Sequence, residues 1–207
     1  MPPDQRVLAV CAMGMEAWGV RRRARAVRVV KVGIGGTPPG RAAQHSIVIS
    51  TGLCGGLTPD QVPGMVVIGT TVADERGATF ACDPQVVAAL ERAAQSLGFA
   101  VVTGPVISTL AMVTGADRAT WAARGHVAVD MESALAAPTA RRFGVLRVIL
   151  DTPSRELSPA WAKPGRAILN PANWGEAIWL AVSGPRYSLR AGAVLEAALF
   201  SDVDPEV

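Results

Sequence analysis

Ser46-Ile47-Val48-Ile49-Ser50-Thr51 runs directly into Gly52-Leu53-Cys54-Gly55-Gly56-Leu57. A short run of β-branched residues followed by a glycine cluster predicts a strand over 46–51 that ends in a tight turn. Its centre is continuously apolar, so both faces of the strand are expected to be covered. The same character recurs in 6–12, 64–72, 99–108, 127–129 and 145–151, while 26–33 alternates apolar and basic residues.

Helical segments separate these strands. The spacing predicts helices over 15–25, a short stretch leading to His45, 117–124, 131–143, and two tail helices over 174–182 and 188–200. Asp83-Pro84 predicts the start of a helix to about Leu97, with Asp as cap and Pro in the first turn. Strands that alternate with helices and are apolar throughout imply a three-layer α/β/α sandwich with a mixed central sheet. No repeat, linker or low-complexity segment divides the chain, so 1–207 reads as one domain.

Composition fits that reading. Half of the 207 residues are hydrophobic and 18% are charged, which excludes a disordered chain. The formal charge is only +3. Arg21, Arg22, Arg23 and Arg25 form the single dense basic run, and no aromatic residues interleave, so a solvated helix face is expected and not a nucleic-acid surface. Cys11, Cys54 and Cys82 lie in apolar runs and read as buried, reduced thiols. That points to a cytoplasmic protein, as does an N-terminus without the charged and apolar regions of a signal peptide. No spacing suggests a metal site, and no cofactor is implied.

Open α/β sheets bind ligands outside the carboxyl ends of their strands. Three carboxylates fall there: Glu16 after the first strand, Glu132 after Val129-Asp130, and Asp151 at the end of the last strand. Singly, each also reads as a helix-terminal charge or a cap. Together, among small and apolar neighbours, they suggest raised pKa values and proton chemistry. Gly33-Ile34-Gly35-Gly36 lacks the last glycine of the dinucleotide fingerprint, which counts against an NAD-dependent oxidoreductase.

These stretches together resemble the superfamily of purine nucleoside phosphorylases and methylthioadenosine/S-adenosylhomocysteine nucleosidases. The pieces occur in that family's order from about Val7 to Asp151: Ala12-Met13-Gly14-Met15-Glu16, Val32-Gly33-Ile34-Gly35, Thr51-Gly52-Leu53-Cys54-Gly55-Gly56-Leu57, Val129-Asp130-Met131-Glu132-Ser133, and Leu146-Arg147-Val148-Ile149-Leu150-Asp151. The resemblance implies a nucleoside phosphorylase-like fold and cleavage of an N-glycosidic bond. It implies that Glu132 takes the ribose hydroxyls with Met131 against the sugar, and that Asp151 protonates purine N7. By the same likeness Glu16 deprotonates the attacking water with Arg147 nearby. Met112 and Val113 would cover the purine, and Cys54 and Gly55 would line its other side.

The residue types suit an oxocarbenium-like transition state. Adenine leaves poorly until N7 gains a proton, and the sugar needs a carboxylate and a water. Where phosphorylases resembling this chain hold phosphate, it carries Glu16, Ser50 and Leu53, so water is the expected nucleophile and phosphate the alternative. The segment from Leu146 to Pro164 looks most like the hopanoid-associated branch, which acts on adenosylhopane. An open 5′ side would suit such a lipid, with Trp161, Trp174, Ile178 and Trp179 as a peripheral lipid contact. Core or subunit packing is the preferred reading of those residues, and the resemblance implies a homodimer or larger homo-oligomer. A non-catalytic nucleoside-binding module on the same fold is a further alternative.

Overall fold

The computed structural model describes residues 7–38, 45–162 and 164–201. The run that starts at Ile47 stays extended for 10 residues as β3 (Ile47–Gly56). The glycine cluster is therefore strand, not turn. Its glycines serve close approach of neighbouring groups: a Cβ on Gly55 would lie 3.1 Å from Arg118 and 3.3 Å from Asp151. Around β3 the order is β1 (Val7–Cys11), α1 (Gly14–Arg23), β2 (Arg28–Lys31), then β4 (Val66–Asp74), β5 (Thr79–Ala81), α2 (Pro84–Ser96), β6 (Val101–Ser108), α3 (Ala116–Ala123), β7 (Ala128–Asp130), α4 (Ser133–Ala136), β8 (Phe143–Asp151), α5 (Pro164–Ala167) and α6 (Trp174–Ser201).

The sheet is mixed, in the order β2-β1-β3-β7-β6-β4-β5, with β8 inserted between β3 and β4. β3 runs parallel to β1 and β8 and antiparallel to β7. β8 is antiparallel to β4, which continues parallel to β6. β6 then pairs with β7, so β3, β8, β4, β6 and β7 close a ring. β3 and β8 are buried along nearly their whole length, as their apolar runs predicted.

Helices cover both sides. On one side Val20 of α1, Leu90 and Ala93 of α2 and Val194 and Leu195 of α6 pack on Ala9, Leu146 and Val148. On the other, Ala134 and Ala136 of α4 pack on Val10, Val145 and Ile149. The three-layer α/β/α architecture and the mixed central sheet are as expected.

Several elements differ from their predicted limits. The helix expected over 131–143 is α4 followed by a 3₁₀ turn, Ala137–Thr139. Pro138 cannot donate a helical hydrogen bond, and Phe143 already belongs to β8. The two tail helices are one, α6, which runs through Pro185. β5 escaped prediction because it has only three residues. The stretch leading to His45 lies outside the described residues. Asp83 caps α2 as predicted, accepting from the backbone of Gln85 and Val86 at 2.9 and 3.2 Å. The Arg21, Arg22 and Arg23 side chains end α1 in solvent, as a solvated helix face should.

Candidate active site

Glu16 sits in the first turn of α1, but its side chain turns inward and is almost fully buried. One carboxylate oxygen accepts from Met13 N at 2.8 Å and the other from Leu53 N at 2.7 Å. Gly52 makes this possible. Its φ is +149°, and a Cβ there would stand 2.4 Å from the Glu16 carboxylate. Burial pushes Glu16 above the ordinary carboxylate range, and Arg147 and the two backbone donors pull against it.

Arg147 is the hub. It projects from β8 and is 1% exposed. Its Nε pairs with Asp130 at 2.9 Å and its Nη2 with Glu132 at 3.5 Å. Nη2 also donates to Ser50 Oγ at 2.7 Å and Ser133 Oγ at 3.0 Å. Nη1 meets no hydrogen-bond acceptor among the described residues. Three carboxylates, on Glu16, Asp130 and Glu132, thus act on one guanidinium.

Asp130 shapes the turn that presents Glu132. It accepts from the Glu132 and Ser133 backbone amides at 3.3 and 3.2 Å and from the hydroxyls of Ser108 and Ser133. Asp130 therefore holds the turn that leads into α4, whose N-cap position is Glu132, and the Glu132 side chain faces Arg147. Glu132 also accepts from Gly35 N at 3.2 Å. Burial, with Asp130 and Glu16 nearby, pushes Glu132 up to about 7 against the pull of Arg147.

Asp151, four residues along β8 from Arg147, is buried in a second charged group. Its Oδ2 is paired with Arg118 of α3 and lies 3.4 Å from Leu157 N. Burial raises the Asp151 carboxyl, and Arg118 opposes it. At 3.3 Å per residue the two positions are about 13 Å apart along β8, so the two charged clusters are separate neighbours. Cys54 on β3 lies within electrostatic reach of both Arg147 and Asp151. Burial keeps it a thiol, and Cys11 and Cys82 likewise. Met112 and Val113 are half-buried in the loop between β6 and α3, and Met131 is half-buried beside Glu132.

The structure thus brings Glu16, Arg147 and Glu132 into one cluster and Asp151, Gly55 and Cys54 into its neighbour. Sequence reasoning missed Arg118, Ser133 as a ligand of Arg147, and the Gly35 amide. Only Arg118 left a signal: Trp121 and Ala122, three and four residues on, pack against an apolar cluster, so an arginine stands on the apolar side of a short helix. A separate cavity of about 630 Å³ opens between α2 and α6 near Val7, Ile47 and Leu195; no carboxylate among the described residues lines it.

A family model described as the phosphorylase superfamily matches residues 4–158, three quarters of the chain. The chain belongs to the phosphorylase superfamily. Membership makes it an enzyme of the nucleosidase and nucleoside phosphorylase type, as the sequence led us to expect. Among solved structures, the phosphorylase superfamily chain is similar to the 5′-methylthioadenosine/S-adenosylhomocysteine nucleosidase of Helicobacter pylori, with 14% identity, a TM-score of 0.72, and coverage of 95% of this chain and 98% of the other. The corresponding nucleosidase of Neisseria meningitidis, complexed with methylthio-immucillin-A, is 20% identical at a TM-score of 0.71, covering 95% and 99%. The futalosine hydrolase of H. pylori is 13% identical at a TM-score of 0.71, covering 95% and 98%. At these identities the likeness establishes the fold. No curated protein matches the sequence.

Proposed function

We propose that the protein hydrolyses the N-glycosidic bond of a purine nucleoside and releases adenine. One observation carries this reading: Glu16, a buried carboxylate with a raised pKa, is locked between Leu53 N and Met13 N within electrostatic reach of Arg147, whose Nη1 meets no acceptor among the described residues. A carboxylate whose pKa is raised in this way is a stronger base than a free one and is suited to taking a proton from water. Arg147 Nη1 is the donor that would orient that water. Glu132 accepts the ribose hydroxyls, Met131 packs on the sugar, and Asp151 delivers a proton to N7. Cys54, Gly55, Met112 and Val113 enclose the base. As the C1′–N9 bond breaks, its electron pair passes to the protonated base. Water adds to the sugar cation and loses its proton to Glu16.

Charge supports water over phosphate. Three carboxylates share one arginine, and a phosphate dianion would enter an already anionic cluster. The Leu53 amide, a donor phosphate could use, is committed to Glu16. A similar nucleosidase of H. pylori holds 5′-methylthioadenosine in its active site and that of N. meningitidis is in complex with methylthio-immucillin-A, in keeping with an adenine nucleoside here. Trp174 and Ile178 of α6 are 57% and 68% exposed, whereas Trp161 is tied to Glu176 and Trp179 lies under Arg155. We assign the exposed pair to a homodimer interface; a long apolar 5′ substituent such as that of adenosylhopane, or a lipid contact, is the second reading they support.

The test is adenine release from adenosine, methylthioadenosine, S-adenosylhomocysteine and an adenosyl lipid, each with and without phosphate. Release without phosphate is expected, and Asp151→Asn should remove most of it. No release from any nucleoside, or a strict phosphate requirement, would refute the proposal. Tight binding without turnover would leave a binding module.

A further inference from the structure

Arg118 is the buried residue of α3 and is 2% exposed. Its guanidinium meets three oxygens: Nη1 donates to Gly56 O at 2.5 Å, Nη2 pairs with Asp151 Oδ2, and Nε forms an ion pair with Glu156 Oε1 at 3.1 Å without hydrogen-bond geometry. Glu156 also accepts from Gly115 N at 2.7 Å, at the start of α3. It therefore ties the loop carrying Met112 and Val113 to the segment after β8. The Glu156 side chain is one-third exposed, while that of Asp151 is 8% exposed. Two carboxylates, one deep and one at the surface, thus share one buried cation.

The hydrogen bonds at Asp151 are one-sided. Arg118 and Leu157 N both address Oδ2, and no described residue donates to Oδ1, which lies toward Gly55. Oδ1 is the atom left for the base. An acid gripped by a cation holds its proton weakly, because the cation favours the ionised form. Glu156 draws the same guanidinium toward itself and so loosens that grip.

We propose that Arg118 and Glu156 are positioning residues that control Asp151: Arg118 grips its outer oxygen, Glu156 competes for the guanidinium, and the balance decides whether Oδ1 can hand a proton to the base. This rests on reading Asp151 as the proton donor. The groups facing Asp151 are Arg118 from α3, Glu156 and the Leu157 amide from the following segment, and Cys54 from β3, which burial keeps neutral. Loss of Arg118 should therefore raise the pH at which Asp151 ionises, and loss of the Glu156 charge should lower it. Opposite shifts from two partners are a signature that general damage to the site does not produce.

The experiment follows the ¹³Cγ resonance of Asp151 against pH, assigned by its disappearance in Asp151→Asn. Arg118→Gln should move the midpoint up by about 1–3 pH units, the usual effect of a neighbouring arginine on a carboxylate. Arg118→Lys should stay nearer the wild type, and Glu156→Gln should move the midpoint down. The high-pH limb of kcat/KM for adenine release should follow in the same directions. Unchanged midpoints, or shifts of the same sign, would overturn the proposal. Should Arg118→Gln fail to fold, the direction of the Glu156→Gln shift decides. Adenine release that survives in Asp151→Asn would instead refute the acid role, and the resonance would still report the grip of Arg118.

Discussion

Glu132 shows what a buried carboxylate costs at the scale of one residue. Folded, it titrates at about 7; its ordinary value is 4.5. Between those values the folded protein keeps a proton that the unfolded chain has released. Its contribution is therefore full below about pH 4.5 and is lost as pH rises to about 7. Above that, the ionised group costs about 3 kcal/mol, at roughly 1.4 kcal/mol per pH unit. Glu132→Gln should accordingly raise Tm by several degrees at pH 8, leave it nearly unchanged at pH 4, and weaken both binding and turnover. A lower Tm at pH 8 would mean that the Arg147 pair outweighs burial. That Glu132, Glu16 and Asp151 are buried carboxylates could be read from the sequence, because charge stands at strand ends among apolar neighbours. Arg118 was not, because the contact that defines it spans 33 residues and depends on how α3 is set against β8.

At the scale of elements, α1 places Glu16, and α6 holds α1. The two helices meet through glycines. A Cβ on Gly19 would lie 2.4 Å from the Ser188 carbonyl carbon, and one on Gly192 would lie 2.6 Å from Gly19 O. Gly19→Ala should force the helices apart, cost about 1–3 kcal/mol as an overpacked contact, and lower kcat/KM because Glu16 lies one turn earlier. Gly14, in the same helix, has nothing within 4 Å of an added Cβ. Gly14→Ala should therefore leave melting and turnover within about 0.5 kcal/mol of wild type. Equal losses in both variants would refute the crossing as the cause. The apolar runs of β1, β3 and β8 and the Asp83-Pro84 cap were readable because local chemistry dictates them. The single α6 was not: Pro185 signals a break, and packing on α1 and α2 carries the helix through it.

At the scale of the molecule, the described residues leave one apolar surface unexplained. Trp174, Ile178 and Val182 recur every fourth residue on α6, each more than half exposed, and Ile168 and Leu169 precede them. The nearby carboxylate, Glu176, is bonded to Trp161 and Ser158 N. No described helix is long and apolar enough to cross a membrane. A patch of this kind on a monomer favours association, and a two-fold dimer is the commonest closed form. Light scattering should therefore give about 43 kDa, twice the 21.5 kDa chain. Ile178→Asp with Val182→Asp should return the mass to a single chain. Glu16, Arg147, Glu132 and Asp151 all come from one chain, so the separated chains should retain base release from adenosine. A wild-type monomer that sediments with phospholipid vesicles, and a double variant that does not, would instead assign the α6 surface to lipid and favour the long apolar substituent.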